Sequence, residues 1–201
     1  MKKKSSDGFS RIKRMDSLSM KKRLALLLME KSYLEGDFTL SSGMKSDYYF
    51  DCRQTSLHPE GAWLIGKLLA EMAKPLAPDG VSGMTMGADP LITAVSLAAR
   101  EEGLSWPGLI VRKEVKKHGT AGALEGLGNF RPGQSVVMLE DVVSTGGSVI
   151  KGCEHIRDAG LAVREVCCVL DREQGGREAL RGIGCGLLAI FTRQELLNLA
   201  R

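Results

Sequence analysis

No apolar run in this 201-residue chain approaches the roughly 20 residues that a membrane-spanning helix needs, so no membrane embedding is expected. The basic start, Met1-Lys-Lys-Lys, is not closely followed by an apolar segment, and a secretory signal is not expected either. The five cysteines (Cys52, Cys153, Cys167, Cys168 and Cys185) form no C-x-x-C pair. An odd count without metal spacing argues for reduced thiols in a cytoplasmic protein. No G-x-G-x-x-G is present, which leaves the usual dinucleotide fingerprint out. Gly61-Ala-Trp-Leu-Ile-Gly-Lys-Leu comes near a nucleoside-triphosphate loop but places Leu68 where Ser or Thr is required. Its interior is apolar and follows a helix start, not a strand, so it reads as helix core. Internal repeats and low-complexity segments are absent.

What is present is ordinary for a globular domain: 43% hydrophobic residues, 26% charged and a net charge of +4. Residues 1–19 read as a basic tail (Lys2, Lys3, Lys4, Arg11, Lys13, Arg14), most simply a solvated one. Helical spacing of Leu24, Leu27 and Leu28 predicts a helix over 20–35 that stops at Gly36. Short strands follow at 38–40 and 47–52. Pro59 suits the first turn of a helix running to Ala73. Strands at 81–86, 108–111, 135–140, 163–170 and 187–191 then alternate with helices at 91–100, 148–159 and 178–181. This alternation predicts an α/β fold with a mostly parallel central sheet flanked by helices. Residues 112–126 are charged, carry glycines and lack periodicity, which predicts a long loop; such a loop inside a compact domain is usually functional or disordered.

Residues 136–148, Val-Val-Met-Leu-Glu-Asp-Val-Val-Ser-Thr-Gly-Gly-Ser, carry the most information. An apolar strand delivers Glu140 and Asp141 to one sheet edge, where open α/β sheets bind ligands. A small-residue turn then opens a helix. Backbone N–H groups over 144–148 can hold a phosphate there, aided by the helix dipole. The two carboxylates can face sugar hydroxyls, and Thr145 can donate to the phosphate or lie near the reacting centre. The plainer alternative is a strand end followed by a helix capped by Ser144 or Ser148. The segment resembles the 5-phosphoribosyl 1-pyrophosphate (PRPP) motif of the type I phosphoribosyltransferases, which implies PRPP contacts from Glu140, Asp141, Val142, Val143, Ser144, Thr145, Gly146, Gly147 and Ser148.

Three further stretches narrow the resemblance. Arg112-Lys-Glu-Val-Lys-Lys-His-Gly is a basic run with almost no aromatic interleaving, so nucleic acid is not the expected partner. Arg112, Lys113, Lys116 and His118 could neutralise a departing pyrophosphate, and Gly119, Gly122 and Gly126 permit the motion of a lid. The run is similar to the catalytic loop of orotate phosphoribosyltransferases, in which the loop closes over the neighbouring subunit's site; the resemblance implies a homodimer sharing loop 112–126. Phe38-Thr-Leu-Ser-Ser-Gly-Met-Lys-Ser-Asp-Tyr-Tyr-Phe-Asp resembles the hood of that family, with Tyr49 and Phe50 at base-contacting positions. On the plainer reading at least one of Tyr48, Tyr49 and Phe50 is core. Leu170-Asp-Arg-Glu-Gln-Gly-Gly places Arg172 where the family grips orotate, and a guanidinium matches a carboxylate in fork geometry.

The resemblance covers about residues 20–195. It implies a single phosphoribosyltransferase domain over 20–201, with a small hood at about 20–55 and a core at about 56–195. Orotate and PRPP would give orotidine 5'-monophosphate and pyrophosphate, with Lys113 and Asp141 as the catalytic pair. Orotate would meet Tyr49, Phe50, Thr145 and Arg172. Mg2+ would be held mainly by substrate oxygens, with no direct protein ligand set. The sequence departs from the family at Ser41 and Gly87, where many members carry lysines. Two other readings stay open: a phosphoribosyltransferase for another base, and a non-catalytic regulator that senses PRPP.

Overall fold

The computed structural model describes residues 15–39, 45–113 and 123–200. Asp16 caps the first helix, α1 (Ser17–Lys31), accepting from the Ser19 N–H at 2.7 Å. The helix therefore begins inside the stretch that the sequence assigns to a tail. It also ends earlier than its periodicity suggests. Tyr33 already opens strand β1 (Tyr33–Thr39), which pairs antiparallel with β2 (Lys45–Phe50). Gly36 is not a helix stop: it lies where the β1–β2 register shifts, between Glu35 and Phe38. Aromatic pairing across the hairpin overrides the helical pattern here, because Tyr33 lies opposite Phe50 and its ring stacks on Tyr48 at 5.3 Å.

A short helix, α2 (Arg53–Ser56), leads into α3 (Pro59–Ala73), which has Pro59 in its first turn as expected. Then come β3 (Gly80–Met84), α4 (Asp89–Glu101), β4 (Gly108–Val111), β5 (Leu124–Glu125), β6 (Ser135–Val143), α5 (Gly147–Asp158), β7 (Ala162–Asp171), α6 (Gly176–Gly182), β8 (Gly186–Thr192) and α7 (Arg193–Leu199). Strand β5 and helix α7 go beyond the sequence reading. β5 turns the far end of the 112–126 stretch into the second arm of a stem on β4. α7 begins with a capping box between Thr192 and Glu195.

The six-stranded sheet runs β5-β4-β3-β6-β7-β8, parallel except for the β4–β5 pair. Its pleat divides the core in two. Val137, Leu139 and Cys167 join α1, α3 and α4 on one face, whereas Val136, Met138, Val166 and Cys168 join α5 and α6 on the other. Cys167 and Cys168 are both fully buried, one on each face. Among the described residues no helix is long and apolar enough to cross a membrane. The architecture is the expected α/β fold: a mostly parallel sheet flanked by helices, with the β1–β2 hairpin and α1 beside it.

The strand order fixes where a ligand can enter. β3 connects through α4 to β4 on one side, and β6 connects through α5 to β7 on the other. The two crossovers leave in opposite directions, so a crevice opens beyond the carboxyl ends of β3 and β6.

Candidate active site

The floor of that crevice is the end of β6. Glu140 and Asp141 stand side by side in the strand, which continues through Val143 and so extends past the predicted boundary at Glu140. Glu140 is buried, and its Oε2 is without a hydrogen-bond partner. Burial, followed by the adjacent Asp141 carboxylate, pushes the Glu140 carboxyl well above the usual range, and the Lys113 ammonium pulls against them. Asp141 is half-buried, and its Oδ1 accepts from the Val142 N–H at 2.8 Å. Cys52, fully buried, faces these acids; burial first and Asp141 next hold its thiol well above the ordinary cysteine range.

Across the crevice lies the loop after β3. Gly87 packs its backbone directly on the acid, so that a Cβ there would stand 2.9 Å from the Asp141 carboxylate atoms. This contact gives a physical reason for glycine at a position where many family members carry lysine. In the same loop Thr85 Oγ1 donates to Asp89 Oδ2 at 2.8 Å, while Asp89 Oδ1 is buried without a partner.

The geometry of the turn between β6 and α5 follows from Gly146. Its φ of +81° is a left-handed conformation that favours glycine, and it turns the chain from β6 into α5. The first helical bond is Ile150 N–H to Gly146 C=O, so the N–H groups of residues 147–149 have no partner within the helix. No side chain caps this end, so neither Ser144 nor Ser148 takes the plain capping role. Thr145, Gly147 and Ser148 are exposed on the open side of the turn, and Ser144 is half-buried. Val142 and Val143 serve the scaffold: Val142 packs on the larger core cluster, and Val143 is buried in the smaller one with its carbonyl taken by the Arg172 N–H at 2.8 Å.

That last bond ties the end of β6 to the Arg172 turn. Asp171, 1% exposed, braces this turn by accepting from the Glu173 N–H at 2.8 Å and from Arg177 at 3.0 Å. Arg172 is itself buried; its Nε donates to Tyr48 Oη at 2.8 Å and its guanidinium lies over the Tyr48 ring, 4.5 Å from the centroid. The hood thus reaches the core through Tyr48, which the sequence reading did not single out. Tyr49 and Phe50 point to opposite faces of β2. Tyr49 is exposed and packs on Phe38, with ring centroids 5.5 Å apart, whereas the Phe50 ring belongs to the core.

On the remaining side stands the stem of the basic loop. The Arg112 N–H donates to the Ala123 carbonyl at 2.7 Å, and its guanidinium pairs with Glu125 at 3.0 Å. Lys113 is exposed at the carboxyl end of β4, close enough to act on Glu140. Lys116, His118 and Ser41 lie outside the described residues. A concavity of about 410 Å³ between α1, α3 and β8 is lined by Leu18, Leu68, Met72 and Leu188 among others. Few polar groups converge there, in contrast to the strand ends.

A phosphoribosyl transferase domain matches residues 84–182, the segment from the end of β3 to the end of α6. The chain is 44% identical over 181 residues to an orotate phosphoribosyltransferase of a Nostoc species, covering 90% of this chain and 87% of the relative. The chain belongs to the orotate phosphoribosyltransferase family. The Aquifex aeolicus member is 42% identical over 180 residues, covering 88% of this chain and 97% of its own. Among solved structures, the Mycobacterium tuberculosis orotate phosphoribosyltransferase in complex with PRPP superposes with a TM-score of 0.74 at 32% identity, covering 88% of this chain and 98% of that one. A phosphoribosyltransferase from Corynebacterium diphtheriae gives 0.78 at 32% identity, covering 89% and 98%. The matched domain spans Glu140 and Asp141, the turn into α5 and the Arg172 turn, while the hairpin with Tyr48 lies before it.

Proposed function

We propose that this chain transfers the 5-phosphoribosyl group of PRPP to orotate, giving orotidine 5'-monophosphate and pyrophosphate in pyrimidine nucleotide synthesis. The observation that carries the reading is the bond between Val143 C=O and Arg172 N–H, which brings the turn after β6 beside the Arg172 turn, so that one ligand could meet both. The 5-phosphate would lie on the uncapped N–H groups at the start of α5, where the helix dipole favours an anion. Asp141 and Glu140 would hold the ribose hydroxyls. Arg172 would take the orotate carboxylate in fork geometry. This arrangement supports orotate over a base that lacks the carboxylate.

Bond exchange at the ribose C1 passes through an oxocarbenium-like state, and negative charge grows on the departing pyrophosphate. The protein's part is therefore positioning and charge stabilisation. Lys113, at the rim of the crevice, would meet the pyrophosphate together with Arg112, Lys116 and His118. Arg112 would have to leave Glu125 to do so. Closure of the 112–126 loop would keep water from the cation.

A magnesium ion would find hard oxygens at Asp141 and at Glu140, whose Oε2 is buried and unpartnered. Such an ion would take most of its ligands from PRPP oxygens and water, as Mg2+ usually does, and would supply charge neutralisation at the pyrophosphate. The enzyme would act in the cytoplasm as a homodimer. Exposed Met86, in the loop before α4, and exposed Leu97, on α4, support an apolar docking face.

The test is a spectrophotometric assay with magnesium, PRPP and orotate. Loss of orotate absorbance is expected. Turnover with uracil or a purine but not orotate would sink the assignment, and no turnover with any base would favour a PRPP-sensing regulator.

A further inference from the structure

Tyr48 is a buried polar side chain that the transfer chemistry leaves unused. It sits on β2 in the hood, 3% exposed, and it contacts the one guanidinium assigned to the base. Its own position is over-determined. Tyr33 stacks on it with an interplanar angle of 17°, and the Arg193 guanidinium lies 4.3 Å from its ring centroid. Asp47, its neighbour on β2, accepts from Arg193 at 3.2 and 3.3 Å. Three separate elements, β1, β2 and the start of α7, thus fix one phenol. That phenol accepts from Arg172 Nε at 2.8 Å.

A guanidinium is a flat fork, and its grip on a carboxylate depends on the direction of its plane. An arginine side chain is otherwise free to rotate about several bonds, and ordering it costs binding free energy. A hydrogen bond at Nε, with the ring beneath, removes that freedom before any ligand arrives. We propose that Tyr48 is a positioning residue for base recognition: its hydroxyl sets the plane of the Arg172 guanidinium, and its ring makes that aim depend on the seated hood. The inference rests on the reading that Arg172 takes the orotate carboxylate. It predicts that hood packing is felt by orotate and not by PRPP, since the same contact serves both the hood and the base.

The test is steady-state kinetics on the full chain with magnesium, varying orotate and PRPP separately. Tyr48→Phe keeps the ring and its stacking and removes only the hydroxyl. The orotate KM is expected to rise about tenfold, the size of one hydrogen bond to a charged group, with the PRPP KM and kcat within about twofold. Arg172→Ala raises the orotate KM further, and adding Tyr48→Phe to it has no additional effect. An unchanged orotate KM in Tyr48→Phe, a parallel rise in both KM values, or full additivity in the double variant would overturn the role of Tyr48. An unchanged orotate KM in Arg172→Ala removes the carboxylate reading and this inference together. A strong Arg172→Ala defect beside a silent Tyr48→Phe removes only the inference.

Discussion

Arg172 and Glu140 lie at the ends of neighbouring strands, β7 and β6, yet their surroundings are opposite in kind. Around Arg172, Tyr48, Asp171, Arg177 and Arg193 are engaged in named hydrogen bonds, ion pairs or ring contacts before any ligand binds. Around Glu140, Oε2 is buried without a partner, Asp89 Oδ1 is in the same condition, and the N-terminus of α5 has no side-chain cap. A buried polar atom left unpaired costs about 1–3 kcal/mol. The Arg172 guanidinium is therefore held in place before a ligand arrives, although Gln174 Oε1 and Arg193 Nε in the same region are buried without a hydrogen-bond partner. The sugar-phosphate side holds unmet donors and acceptors that a ligand rich in hydroxyls and phosphates would satisfy.

The largest effect that would expose this division is at Lys113. Lys113→Ala should lower kcat about 10²–10³-fold, the usual scale for losing one group that stabilises charge in the transition state. The orotate KM should change little. An equal loss in both quantities would break the comparison, because Lys113 would then serve the base side as well. The same variant tests loop sharing. If loop 112–126 serves the partner's site, mixed dimers of Lys113→Ala and Arg172→Ala chains carry one intact site. Assayed at orotate far below the raised KM of Arg172→Ala, where neither variant alone turns over appreciably, subunit exchange should then restore about a quarter of wild-type activity. No recovery after confirmed exchange would place the loop over its own subunit's site.

The same division marks what was legible in the sequence. The sugar-phosphate side is written in consecutive residues: an apolar strand, two acids and a small-residue turn fall within 136–148, and local chemistry suffices to read them. Arg172 is placed by the family resemblance, because an arginine in a turn is by itself an ordinary surface residue. Tyr48 could not be distinguished from Phe50, which shares its buried face of β2; what sets Tyr48 apart is its bond to Arg172, 124 residues away. The missed helix α7 had a readable mark, Thr192 followed by Glu195 as a capping box. Strand β5 had none: it is two residues long, and its pairing with β4 alone defines it. The helix over-extended to Glu35 shows the same limit, because aromatic pairing across the hairpin outweighs helical spacing.

A smaller effect sharpens the account of the acid pair. Gly87→Ala should lower kcat/KM about tenfold with little loss of fold stability, because the new methyl would displace the Asp141 carboxylate, not a core side chain. Thermal melting beside steady-state kinetics separates the two outcomes. A large drop in Tm would mean that the β3–α4 loop itself, and not Asp141, resists the methyl. Full activity would show that the carboxylate can move aside without consequence, and the close packing of Gly87 on it would then have no catalytic meaning.

The smallest effect concerns Glu140 in the ligand-free protein, and its sign follows from linkage. Burial raises the Glu140 carboxyl well above its unfolded value, about 4.3 for a free glutamate. Between those two values the folded state holds a proton that the unfolded state has released. Stability therefore falls as pH rises through that window. Glu140→Gln removes the ionisation while keeping the shape. The variant should match wild type near pH 4.5 and exceed it at pH 8, by about 2–4 °C in Tm if about 1 kcal/mol is recovered in a domain of this size. Activity should fall in the same variant, because the amide replaces an acceptor with a donor toward the ribose hydroxyls. Melting curves across pH without substrate provide the check. A gap that shrinks with rising pH would show that Glu140 is stabilised as a carboxylate, and the contrast with the already paired Arg172 guanidinium would be lost.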